Sequence, residues 1–229
     1  MKEALGIWES FLIAFTALLP LINPLGSALV FLGLVGDVPA ATYRILARKI
    51  AINNIIFLAV IELLGSAILH FFGISLPIVQ VSGGIVIATI GWSVLNQKDS
   101  SGKTPDKRDE VLVNPDATLK QLEAKSFYPF TFPVTSGPGT LVVTLTLSAR
   151  DEGGGIALNL LRHGGLFIAV VVLSAFVYLC YSNAPRLTRA IPHSTVNGIL
   201  RVMAFILFCI GVQIFWNGFS ELLPTVLRH

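Results

Sequence analysis

The chain has 229 residues, of which 54% are hydrophobic and only 13% charged, with a mean hydropathy of +0.77 and a formal net charge of +3. A soluble domain carries about 25% charged residues, so this composition excludes an ordinary water-soluble fold; with no basic cluster interleaved with aromatics it also argues against a nucleic-acid partner. Repeated apolar runs of roughly 20 residues, the length of a membrane-crossing helix, exclude an alternating-strand barrel and predict an all-α polytopic helical bundle in a lipid bilayer.

In chain order, Met1 to Ser10 mixes Lys2 with Glu3 and Glu9 and runs into an apolar stretch without a cleavage site, so no cleaved signal peptide is expected. The first span, about Trp8 to Val35, is too long for one straight crossing and is interrupted at Pro20 and Pro24. Proline lacks an N–H and restricts the residue before it, here Asn23, so two half-helices with freed carbonyls around Pro20 and Leu21 are predicted. Lipid cannot satisfy such groups, so the break must be buried in protein or line a watery cavity. Pro39 to Arg44 reads as a short interfacial helix leading to the second span, Ile50 to Phe72, which carries Asn53, Asn54, Glu62 and Ser66. A turn at Gly73-Ile74-Ser75 opens the third span, Leu76 to Leu95, whose Ser82-Gly83-Gly84 and Gly91 allow close backbone approach.

From Asn96 to Ser126 the character changes to six basic and six acidic residues, an aqueous linker flexible around Ser100-Ser101-Gly102. The fourth span, Phe127 to Leu147, holds a second helix-breaking run, Pro133-Val134-Thr135-Ser136-Gly137-Pro138-Gly139. Pro133 and Gly139 each lie 113 residues after Pro20 and Gly26 of the first such run, Pro20-Leu21-Ile22-Asn23-Pro24-Leu25-Gly26. After a loop at Gly153-Gly154-Gly155 and a short amphipathic helix over Ile156 to Arg162, the fifth span covers Leu166 to Tyr181 and the sixth Val196 to Phe219. Cys180 and Cys209 sit in apolar runs without metal-ligand spacing and read as packing residues, and no metal or cofactor is expected.

Six spans with a match between the first and fourth divide a single membrane domain, residues 1–229, into a three-helix repeat over 1–96, a charged cytoplasmic linker over 97–126 and a second repeat over 127–229. Three is odd, so the second repeat is inverted, which is the 3+3 architecture of secondary transporters with discontinuous first and fourth helices. Running the first span inward leaves twelve lysines and arginines on the cytoplasmic side and four on the other, which predicts both termini outside.

Asn23-Pro24-x-Gly26, Phe72-Gly73-Ile74-Ser75, Gly83-Gly84, Phe127-Tyr128-Pro129, Pro133-x-Thr135-x-Gly137-Pro138-Gly139-Thr140 and Arg201-x-Met203 resemble, in order and spacing, the MarC family of inner-membrane proteins, over nearly the whole chain. The resemblance implies six helices in inverted repeat, kinship with the LysE exporter group, and transport of small neutral amino acids such as glycine and alanine. The chain departs from the family pattern at Ala204, where glycine is usual, and in carrying Glu62.

The two broken helices read as facing each other across a small-solute site: Asn23, Pro24, Gly26 and Ser27 from one, Thr135, Ser136, Gly137, Gly139 and Thr140 from the other. Half-helix N-termini offer N–H groups to a carboxylate and freed carbonyls accept from an ammonium, which suits a zwitterion. The bland reading is a pair of structural kinks. Glu62, in mid-span, is a candidate for carrying a coupling proton, or a neutral carboxyl bonded to a neighbouring helix; Arg201 is a candidate gate or a snorkelling anchor. A coupling proton or sodium ion, and an oligomer through small-residue faces, both fit the pattern. An enzyme is not expected: H-E-x-x-H and a P-loop are absent, and His70, His163, His193 and His229 fall at span ends, in loops or at the terminus, leaving no intramembrane base. The alternative to a carrier is a non-transporting membrane subunit or an ion or water channel with broken helices.

Overall fold

The computed structural model describes residues 2–36, 38–96, 115–149, 155–186 and 193–227, and among them there is no strand. Helix α1 (Lys2–Ile22) passes through Pro20 and ends at Ile22, one residue before α2 (Pro24–Val35). The interruption expected at both prolines is therefore a single residue wide. Proline's fixed φ suits a helix, whereas Asn23 takes the left-handed conformation, φ 41 and ψ 68, which asparagine tolerates better than most residues.

Helix α3 (Ala40–Phe71) fuses the expected interfacial turn and second span into one element of 32 residues. No glycine or proline occurs in it before Gly65 to stop it. At 1.5 Å per residue it is about 48 Å long, more than a hydrocarbon core of about 30 Å, and Arg44, Arg48 and Lys49 fall in its first third. Helix α4 (Leu76–Leu95) follows. Residues 97–114 of the expected linker, Ser100-Ser101-Gly102 included, lie outside the described residues, as do Gly153, Gly154 and Arg189. The remainder of the linker forms α5 (Pro115–Ala124), whose Glu123 pairs with Lys49 at 3.4 Å.

Residues Ser126–Thr135 form an irregular, wide-turned segment with extended backbone at Tyr128 and Phe132, each before a cis proline. Then come α6 (Pro138–Ser148), α7 (Gly155–Ser182), which absorbs the expected short amphipathic helix, and α8 (His193–Leu227). Among the described residues four stretches are long and apolar enough to cross a membrane, Gly6–Val35, Leu76–Ser93, Leu158–Ser182 and Ala204–Leu223; the expected second and fourth spans are not among them.

Helix α7 is the hub, packed on α1, α2 and α3, and Leu18, Ile22, Phe31, Leu58, Phe130, Leu173 and Tyr181 fill the core. Helices α4 and α8 make the most extensive pair, running antiparallel and nearly in backbone contact. A Cβ on Gly84 would lie 2.7 Å from the Gly211 carbonyl oxygen, one on Gly91 2.9 Å from that of Ala204, and one on Gly218 2.5 Å from that of Pro77. Small residues recur every seventh position on α8, at Ala204, Gly211 and Gly218, as a tight two-helix seam requires. The Ala204 departure from the family pattern thus falls in this seam. On the lipid side, Ile56, Leu63, Trp92, Leu160, Val202 and Trp216 are exposed; acyl chains are as apolar as these side chains, so association rests on close packing and hydrogen bonds.

Candidate functional site

Asn23 is the N-cap of α2: its side-chain oxygen accepts from the Gly26 N–H at 3.2 Å, and its carbonyl accepts from the Ser27 N–H and Ser27 Oγ, each at 2.9 Å. Pro24 occupies the first turn, where a missing N–H costs nothing. It also has no proton for the Pro20 carbonyl four residues back, which is the freed acceptor the sequence predicts. Pro24, Gly26 and Ser27 are buried and Asn23 half-buried.

The second motif repeats this logic. Thr131 and Thr135 donate their hydroxyls to carbonyls five residues back, Ser126 and Phe130, each at 2.7 Å, and so satisfy the wide-turned backbone locally. Gly137 caps α6 with extended backbone and Pro138 begins the helix. Gly139 and Thr140 are buried, and a Cβ on Gly139 would lie 2.8 Å from both Leu21 Cδ2 and Ile87 Cγ1. The first turn of α6 therefore abuts Leu21, two residues before Asn23, which brings both motifs together.

Tyr181 of α7, fully buried, joins them. Its hydroxyl lies 2.8 Å from Thr135 Oγ1 and hydrogen-bonds Ser27, while its ring stacks on Phe31 with centroids 4.5 Å apart. With one proton per hydroxyl, Tyr181 donates to one partner and accepts from the other only if that partner releases its backbone carbonyl. A second chain of bonds runs from Ser136 Oγ, donating to Asn54 Oδ1 at 2.5 Å, through Asn54 Nδ2 to Ser174 Oγ at 3.0 Å. Ser136 thus binds protein rather than facing an open cavity. Three threonine hydroxyls on α6 are buried without a hydrogen-bond partner, those of Thr140, Thr144 and Thr146, the first two residues being 1% and 0% exposed. An unpaired buried hydroxyl is costly, which marks these positions as places where a polar ligand would be held.

The two coupling candidates stand apart from this centre. Glu62 is buried on α3, eight residues or about 12 Å along the helix from Asn54. Its Oε1 lies 3.2 Å from His163 Nδ1, and its Oε2 is buried without a partner. His163, expected at a span end or in a loop, lies five residues into the apolar stretch Leu158–Ser182. Arg201 is exposed on α8. No group of three or more metal-ligating side chains occurs among the described residues.

Sequence reasoning missed Tyr181, Ser174 and His163. Tyrosine at the end of a span ordinarily reads as a membrane-interface residue, and a lone serine in an apolar helix carries no signal until its partner is known.

A model of the MarC family, described as an integral membrane protein family, matches residues 8–223. Proteins named UPF0056 inner membrane protein MarC are similar to this chain over 96% of its length and 99% of theirs: 26% identical in Salmonella paratyphi A and in Citrobacter koseri, and 24% in Escherichia coli. No solved structure matches.

Proposed function

The chain belongs to the MarC family of integral membrane proteins, and from that premise we propose that it is a secondary transporter of small neutral solutes, with small neutral amino acids such as glycine or alanine as the substrate class. The observation that carries this reading is the approach of the buried first turn of α6, at Gly139, to Leu21 beside the α1–α2 break, next to the unpartnered Thr140 hydroxyl. The N-terminus of each half-helix carries partial positive charge and favours a carboxylate. The Pro20 carbonyl, left without a donor from Pro24, suits an ammonium. Asn23, Pro24, Gly26 and Ser27 form one wall of the site and Thr135, Gly137, Gly139 and Thr140 the other, with Ser136 tied back to Asn54 and Tyr181 as the brace between the walls.

Alternating access follows from a 3+3 inverted repeat, residues 1–96 and 127–229. The α4–α8 seam supports it: Gly84 lies against Gly211 and Gly91 against Ala204, the self-complementary pattern of a two-fold contact. Helices α3 and α6 also run parallel, with Asn54 at Ser136 and Gly65 at Leu145, as second and fourth spans must. We place the chain in the inner membrane, as its relatives are named, with both termini outside.

Thr140→Val tests the site. The hydroxyl has no protein partner, so its loss leaves folding intact; if it binds solute, the half-saturation constant for counterflow of labelled glycine or alanine in proteoliposomes rises about 5- to 30-fold, equivalent to about 1–2 kcal/mol. Unchanged kinetics in the variant rule out this site. Absence of saturable exchange in the wild type across a panel of amino acids favours a channel or a non-transporting subunit.

A further inference from the structure

We propose that Glu62 and His163 form a proton-exchange site within the bundle, His163 receiving the proton from water and Glu62 storing it. The proposal rests on the transporter reading for its purpose, since a stored proton is a means of coupling. Its geometry stands by itself.

Glu62 is 4% exposed and commits one oxygen to His163 at 3.2 Å, leaving Oε2 buried without a hydrogen bond. A carboxylate in that state is costly, and an ionisable residue inside an apolar bundle is a functional candidate by default. His163 differs: its side chain is 37% exposed, and it lies five residues into the apolar stretch of α7, about 8 Å from its start. One partner thus reaches outward while the other is sealed in.

The step balances without a co-reactant. The Nδ1–H bond of the imidazolium breaks and an O–H bond forms at Glu62 Oε1, turning an ion pair into a neutral imidazole and a neutral carboxylic acid. Both products are cheaper to bury than the ions. Water then reprotonates His163. Among the described residues of the elements packed against α3 at this level, α7 contributes His163 and Arg162, and α6 contributes hydroxyls only, Thr140, Thr144, Thr146 and Ser148. On α3 itself the next titratable group is His70, two turns on, and Lys49 with Glu123 sits at the opposite end. Because α3 and α6 run parallel from the Asn54–Ser136 bond to the Gly65–Leu145 contact, Glu62 lies at about the level of Val142, between Thr140 and Thr144. Thr140 on the side of the solute site and Thr144 beyond it bracket that level, and both hydroxyls are unpartnered.

Infrared difference spectroscopy of the purified wild type, Glu62→Gln and His163→Gln across pH reads the site without requiring transport. We expect a titrating carboxyl band that is lost in Glu62→Gln and whose midpoint moves by about one pH unit or more in His163→Gln. Nitrogen NMR of ring-labelled histidine on the unmutated protein gives a second reading, with the His163 signal changing protonation in step with the carboxyl band. A titrating band that survives Glu62→Gln, the absence of any such band, or identical midpoints in wild type and His163→Gln overturns the proposal. Loss of solute exchange with the titration intact would instead count against the transporter reading and leave this site standing.

Discussion

Replacing Gly211 by alanine adds one methyl group to the α4–α8 seam, at a place where it has no room. The new Cβ would lie 2.8 Å from both the Gly84 carbonyl oxygen and Ala88 Cα, atoms that belong to backbone and cannot rotate away. Carbon contacts relax near 3.5–4.0 Å, so the helices must part by about 1 Å, which forfeits a quarter to a half of each dispersion contact. For a seam of about 40 atom pairs the loss is roughly 1–4 kcal/mol, close to the range of about 1–3 kcal/mol found for added methylenes in packed cores. Gly33→Ala is the control: nothing lies within 4 Å of a Cβ there, and alanine gains about 0.5–1 kcal/mol of helix stability. Unfolding of the detergent-purified protein by titrated SDS, followed by circular dichroism and by tryptophan emission, separates the two. Trp92 of α4 packs on Phe208 of α8 with ring centroids 5.9 Å apart and so reports seam opening. Equal midpoints for wild type and Gly211→Ala would refute the backbone-contact seam.

Two further substitutions probe the site's scaffold by the same titration. Asn23→Ala loses the Gly26 cap and forces a Cβ-bearing residue to hold φ 41 without the local hydrogen bond, costing about 1–2 kcal/mol, whereas Asn23→Gly costs only a few tenths; equal costs would show that the left-handed residue is not what shapes the break. Tyr181→Phe keeps the stack on Phe31 and removes only the hydroxyl, while Ser27 and Thr135 retain their bonds to Asn23 and Phe130. Its cost is therefore about 1 kcal/mol, and a loss several times larger would mean that the hydroxyl holds more than these two partners.

The interrupted helices were legible in the sequence because helix breaking is local: a proline nitrogen has no proton wherever the chain goes, and Asn23-Pro24 and Gly137-Pro138 mark their breaks unaided. Their width was not legible. Pro20 alone does not decide whether a helix stops, and the neighbouring turns carried α1 through it. Nor was the continuity of α3 and α7 readable at their polar ends, where charged residues that suggest a boundary are compatible with a helix projecting into water.

Composition, by itself, determined that the chain lives in a bilayer, and two proline–glycine runs determined where its helices break. Only the tertiary structure decided who meets whom. Thr135 finds Tyr181 46 positions away, Glu62 finds His163 101 away, and Asn54 finds Ser174 120 away. Such pairings depend on how each helix is rotated about its axis, which an amphipathic surface helix records as a polar face. A span that is apolar on nearly every side keeps no such record, so the rotation is set by packing, as in the glycine seam of α4 and α8, and the polar partners follow from it.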